Sequence, residues 1–186
     1  VLRGAGKSGN YNALCGVWAS HLARLYWRGQ EREGHSPNYD VLRRQLHERW
    51  DAPIAIDSGA GGSDASDRVG TFYSNTHRFN SGSNAADSQN YANRWTEGLC
   101  VLGEYLRDGG AFRDERLREE LLAAARTITL REEYSSKYDT TRFKADNKDN
   151  VKDRLGRSPD LLDALYMACL MADGGGSSRR KIPSSF

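Results

Sequence analysis

The chain has 186 residues, room for one domain, with 38% hydrophobic and 28% charged side chains. Its 27 basic residues against 25 acidic ones leave a formal net charge of +2, so bulk charge does not announce a nucleic-acid binder, although 21 of the 27 are arginine, the side chain suited to bidentate contact with phosphate or carboxylate. No run of about 18 apolar residues is present and the opening VLRGAGKSGN has no apolar signal-peptide core, so neither a transmembrane helix nor a leader is expected.

Cys15, Cys100 and Cys169 lie far apart with no CxxC pair. A disulfide framework and a cysteine zinc site are therefore not expected, and a reducing, intracellular setting is. The chain begins at Val1 rather than Met, which fits a piece of a longer protein.

In chain order, residues 11–28 read as two short strands. Tyr11, Ala13, Cys15 and Val17 alternate with smaller or polar neighbours, and Leu22 to Trp27 follow a turn near Ser20. Gly29 to Pro37 is a charged loop, and a helix is expected from Asn38 with Val41, Leu42, Leu46 and Trp50 on one face. Pro53 opens the apolar strand Ile54-Ala55-Ile56, which ends in Asp57. A continuous apolar strand between helical segments predicts a buried strand of an α/β sheet.

Ser58 to Gly70 reads as a loop and a short helix, Thr71-Phe72-Tyr73 as the next strand, and 74–90 as a mobile surface loop. A long helix is predicted from Gln89 to Arg107, stopped by Gly109-Gly110, and a second from Asp114 to Ala124. Two strands are expected around 126–131 and 140–145, separated by the polar segment Glu132 to Asp139. The last helix opens at Ser158-Pro159 and runs to Gly174. The domain is expected to span 1–172, with 173–186 as a flexible basic tail.

Several motifs have an ordinary explanation. Gly4-Ala5-Gly6-Lys7-Ser8 resembles the end of a phosphate-binding loop, but the required leading glycine falls on Val1 and no strand precedes it; a glycine-rich turn is expected. His21, His35, His47 and His77 stand at no metal-ligand spacing and read as surface residues.

The carboxylates carry more. Asp57 closes a buried strand and precedes a glycine-rich loop, which suits either a divalent-metal ligand or a turn-initiating aspartate. Asp160 and Asp163 share one face of the last helix. Asp160 suits a helix N-terminus. Asp163 sits inside an apolar stripe, where an acid is costly unless paired or bound to metal. An acid at a strand end and an acid on a helix is the arrangement of two-metal phosphodiester hydrolases.

The run from Lys152 to Leu165, KDRLGRSPDLLDAL, resembles the C-terminal signature of tailed-phage large terminase nuclease domains, roughly K-x-R-x-G-x-S-P-D-x-x-D-A-L. Ile54-Ala55-Ile56-Asp57-Ser58-Gly59-Ala60-Gly61 looks like that family's second acidic strand, and Asp67-Arg68-Val69 like the helix after it. Tyr91-Ala92-Asn93, Glu97 and Leu106-Arg107-Asp108-Gly109-Gly110 resemble its long helix. Leu117 to Leu121 and Lys148 complete the series, which reaches to about residue 172.

The resemblance implies an α/β fold of the ribonuclease H-like (resolvase/integrase) type, a mixed central sheet flanked by helices. It implies metal-dependent endonucleolytic cleavage of concatemeric double-stranded DNA, with two Mg2+ or Mn2+ ions as cofactors. By the same resemblance Asp57 is the second catalytic and metal-binding acid, Asp163 the third and Asp160 an auxiliary one. Lys148, Arg154 and Arg157 become the DNA-phosphate contacts. The implied partners are double-stranded DNA, an ATPase motor domain, the small terminase and the portal, in host cytoplasm and without a membrane.

The first acid departs from the pattern. Laid without gaps on the family's first strand and turn, G-V-D-P-A-G-S-G-G-D, this chain places Arg3 in the slot of the metal-bridging Asp and Asn10 in that of a second acid. Trp95 falls where the long helix usually has Arg. A guanidinium in place of a bridging carboxylate repels cations. The alternative is therefore a catalytically degenerate nuclease fold, its acids ion-paired, with a structural, DNA-clamping or partner-binding role; a cellular resolvase-like enzyme is a third reading.

Overall fold

In a computed structural model of the chain, Ile54, Ala55 and Ile56 are buried in an interior strand of a five-stranded sheet. The structure describes residues 2–3, 11–18, 22–30, 54–58, 62–112 and 114–172, with side chains for 54–58, 66–112 and 114–172. The glycine-rich turn at 4–8, the turn near Ser20, the helix expected from Asn38 and the tail 173–186 lie outside the described residues, as does the charged loop beyond Gln30.

The sheet runs in the order β3-β2-β1-β4-β5. Strand β1 is Leu2–Arg3, β2 Tyr11–Trp18, β3 Leu22–Gln30, β4 Ile54–Asp57 and β5 Thr76–Phe79. The first three form an antiparallel meander, with a register shift between Leu14 and Cys15 on β2. Then β1 pairs parallel with β4, and β4 parallel with β5. A strand pairing parallel on both sides is covered on both faces, which is why β4 is apolar throughout and not alternating.

Helix α1 (Gly62–Gly70) packs on β4 and β5 as the crossover between them. Thr71, Phe72 and Tyr73 are not the next strand. Their amides bond back to the carbonyls of Arg68 and Val69, so these residues close the helix end, and β5 starts at Thr76. The segment expected as a mobile loop at 74–90 thus supplies a sheet strand, and its turns are stitched to the next helix by Arg94 N–H to Ser83 O and Trp95 N–H to Ser81 O, both 2.9 Å.

Helix α2 (Arg94–Arg107) begins five residues later than its apolar spacing suggests. Asn93 caps it, its side chain accepting from Thr96 N at 2.9 Å. Residues before Asn93 spend their backbone groups elsewhere: Phe143 N donates to Asn90 O at 2.8 Å and Ala92 N to Phe143 O at 2.9 Å. The helix ends as expected, with Gly109 at φ 89°. Helix α3 (Glu115–Thr127) is capped by Asp114, which accepts from Leu117 N at 2.9 Å.

Of the strand expected around 126–131, residues 126 and 127 belong to α3, and the strand is displaced to β6 (Leu130–Ser135), which pairs with β7 (Thr140–Ala145), so Glu132 and Glu133 are strand residues. A short helix α4 (Asp149–Leu155), absent from the sequence reading, ends on left-handed Gly156.

Helix α5 (Asp160–Ala172) is buried at every position from Asp160 to Leu170. It lies across β2, β1 and β4 on one side and against α2 and α3 on the other. A helix apolar all round belongs in a core, and this one is the core. Its Tyr166 ring stands edge-on to Trp95 at 5.4 Å and tilted to Phe79 at 5.8 Å.

Gly98 lets α2 approach that ring. A Cβ there would lie 2.4 Å from Tyr166 Cδ2. Replacing Gly98 with Ala should therefore lower unfolding stability by about 1–3 kcal/mol, read as a reduced urea midpoint with an unchanged m-value; an unchanged midpoint would contradict this packing.

Candidate functional site

Asp57 ends β4 half-buried, and the residue after it is held by Ser58 N and Oγ donating to Phe79 O at 2.7 and 3.0 Å. Its register partner on β1 is Arg3. Neighbouring strands are about 4.8 Å apart, so the backbone sets an arginine position directly beside the strand-end acid. Helix α5 packs on β1 and β4 and carries Asp160 and Asp163 in its first turn.

Asp163 is fully buried, and its Oδ2 accepts from Lys148 Nζ. The apolar stripe around Asp163 made a partner necessary, and Lys148 is one. Its ammonium lies 6.0 Å from the Trp95 ring centroid, while the Trp95 indole N–H donates to Asp146 O at 3.0 Å. Trp95 therefore anchors the turn that delivers Lys148. Expected as a phosphate contact, Lys148 has its ammonium engaged by an acid of the core helix.

Arg157, expected as a phosphate contact, is engaged by carboxylates of α3. Its guanidinium donates to Glu120 Oε1, to Glu119 Oε2 at 2.6 Å and to Ser158 O at 3.4 Å. These bonds join α3 to the α4–α5 junction, so the side chain expected on DNA is occupied by two carboxylates. Arg154 is exposed in the last turn of α4, a position open to phosphate.

Two buried acids were missed. Glu97 accepts from Ala86 N, Asp87 N and Arg94 NH1, each at 3.0 Å, and so ties the 80–90 segment to α2. Glu120 is fully buried and accepts from Leu162 N at 2.8 Å. Burial pushes its carboxyl up to about 7, against the lowering pull of the Leu162 amide and Arg157. The signal was present in the sequence: Glu120 lies three after Leu117 and four before Ala124 on the apolar face of α3, the same anomaly that drew attention to Asp163.

His77 is exposed, as expected of a surface histidine, and Cys100 and Cys169 are reduced. Among the described residues no group of three or more His, Cys, Asp or Glu side chains is arranged to hold a metal ion. Asp57 neighbours an arginine position, Asp163 is bonded to Lys148, and Asp160 lies close enough to Glu120 to raise its pKa.

A 3-2-1-4-5 sheet with an antiparallel meander, a parallel second half and a helix across the face is a ribonuclease H-like α/β fold. No family profile matches the chain, and no curated protein sequence does. Solved structures match it. The nuclease domain of the large terminase subunit gp2 of bacterial virus Sf6 aligns with a TM-score of 0.60 at 13% identity, over 90% of this chain and 85% of that one. A lysine-to-alanine variant of that domain with manganese gives 0.56 at 14% identity over 90% and 87%. A variant from the same phage with calcium gives 0.54 at 15% over 90% and 84%. The chain has the fold of a phage large-terminase nuclease domain.

Two measurements probe the site. Lys148→Met should cost about 3 kcal/mol of stability, because a buried pair loses its cation, and adding Asp163→Asn should recover most of it; independent, additive losses would rule out the pairing. Glu120 has a folded pKa of about 7, raised from 4.5, so the stability it contributes is complete below about pH 4.5 and is lost as pH rises through 7. Between pH 5 and pH 8 the wild type should thus lose stability relative to Glu120→Gln, and a difference that stays flat would refute the raised pKa.

Proposed function

We propose that this chain is the nuclease-type domain of a viral DNA-packaging terminase and that it holds double-stranded DNA without cutting it. The packaging assignment is supported by the fold shared with a terminase nuclease domain and by the signature from Lys152 to Leu165 that includes Asp160 and Asp163. Asp57 at the end of β4 completes the expected pair of elements, a strand-end acid and a helix acid. An ATPase motor domain, the small terminase and the portal are the partners this reading carries, in the cytoplasm of the host.

The loss of cutting rests on one observation: Arg3 is the register partner of Asp57. That is where the resemblance calls for the metal-bridging acid. A unit positive charge about 4 Å from a divalent ion costs several kcal/mol even at an effective dielectric near 20. In this reading an arginine at position 3 stands in place of the bridging carboxylate and Lys148 neutralises Asp163, so the acids serve the fold. Exposed Arg154 is the phosphate contact that this reading retains among the three expected ones.

A plasmid-nicking assay over a manganese series, paired with a duplex-binding assay over a salt series, tests both parts. Expected are salt-sensitive duplex binding, weakened by Arg154→Ala, and no nicking by the wild type or by Asp57→Asn. Arg3→Asp should restore metal-dependent nicking. Cutting by the wild type that Asp57→Asn abolishes would establish the active endonuclease instead, and absence of duplex binding would remove the DNA-clamping role.

A further inference from the structure

Helix α5 has an unusual beginning. An α-helix leaves its first amides without partners inside the helix, and a Ser, Thr, Asp or Asn at the N-cap normally accepts from the second or third of them. The sequence pattern places the cap at Ser158 and the first helical residue at Pro159, but the helix starts at Asp160; the residue before it is Pro159, whose carbonyl accepts from Asp163 N at 3.0 Å and whose side chain has no oxygen. The helix is buried from Asp160 onward, so water is a poor substitute. The third amide, Leu162 N, instead donates to Glu120 Oε2 at 2.8 Å, across 42 residues of sequence.

We propose that Glu120 is a positioning residue: a cap supplied from α3 that fixes the start of α5 and thereby where Asp160 and Asp163 stand. One carboxylate oxygen takes the helix amide. The other takes Arg157 NH1, with Arg116 Nε 3.8 Å away, and Arg157 is braced in turn by Glu119. Three elements thus meet on a single buried carboxylate: α3, the α4–α5 junction and α5. Asp163 follows Leu162 directly, so the amide that Glu120 grips is the one next to the acid that Lys148 reaches. A negative charge at this end also suits the helix dipole, while Asp160 in the same turn opposes it. This role is independent of whether the domain cuts or clamps DNA.

Amide hydrogen exchange at Leu162 relative to Leu170, at opposite ends of α5, isolates the cap from overall stability. In Glu120→Ala the Leu162 protection should fall about tenfold more than that of Leu170, as for a buried donor left without its acceptor. The Asp163 carboxylate carbon resonance should shift with it. Glu120→Gln, which keeps an acceptor oxygen, should restore the protection. Leu117→Ala, a buried change on the same helix, should lower both amides together and leave the Asp163 resonance in place. If Glu120→Ala does not fold, Glu120→Asp, drawn back by one methylene, is read the same way. An unchanged Leu162 to Leu170 ratio in the alanine or aspartate variant, or no recovery with glutamine, overturns the proposal. None of these readouts involves DNA or metal, so a failure here and a failure of the packaging reading are separately visible.

Discussion

A carboxylate lies buried in the first turn of the helix that forms this protein's core, and much of the architecture around it serves to make that tolerable. Helix α5 is covered by the sheet on one side and by α2 and α3 on the other, so Asp163 has no water to turn to. An ionised acid in such a place is strongly unfavourable without a cation. Lys148 supplies it, and Lys148 can do so because Trp95 holds the preceding turn by its indole N–H. The aromatic contacts of Tyr166 and the glycine at position 98 let α2 come close enough for that arrangement.

The same physical problem recurs at Glu97 and Glu120, and its solution has the same form each time. Glu97 gathers two loop amides and an arginine; Glu120 gathers a helix amide and an arginine. Each buried acid ties two or three elements that hydrophobic contact alone would leave free to slide. Breaking such a pair is costly even where its net contribution to stability is modest, which makes these acids registration devices for the helices that carry them. The 80–90 segment illustrates the effect: rich in Asn, Ser and Gly, it nonetheless follows a defined path because Glu97 accepts from its backbone.

Around Asp57 and Asp163 the fold is that of a packaging nuclease while the charges are arranged differently. Two-metal chemistry requires converging carboxylates, with cations supplied from solution. In this chain the β1 position paired with Asp57 is an arginine, and Asp163 is bonded to Lys148. The terminase likeness and this departure are compatible: the first resides in sheet order and helix placement, the second in one residue of β1.

Read alone, the sequence determined whatever depends on near neighbours. The apolar run before Asp57, the Gly109-Gly110 stop and the apolar pattern of α5 each specify an element through local chemistry, and these elements are present, although α5 starts at Asp160 and not at Pro159. The ordered motifs determined the fold through resemblance, and Asp163 stood out because an acid in an apolar stripe demands a partner. Which partner was decided by tertiary structure. Lys148 and Asp163 are 15 residues apart, Arg157 and Glu120 37, and Glu120 and Leu162 42, and no periodicity encodes such pairings. The late start of α2 and the displaced β5 have the same origin: backbone groups at 90–92 bond to β7 and those at 71–73 to the end of α1. Hydrogen-bonding groups must be satisfied wherever the fold leaves them, and only the folded chain determines which ones meet.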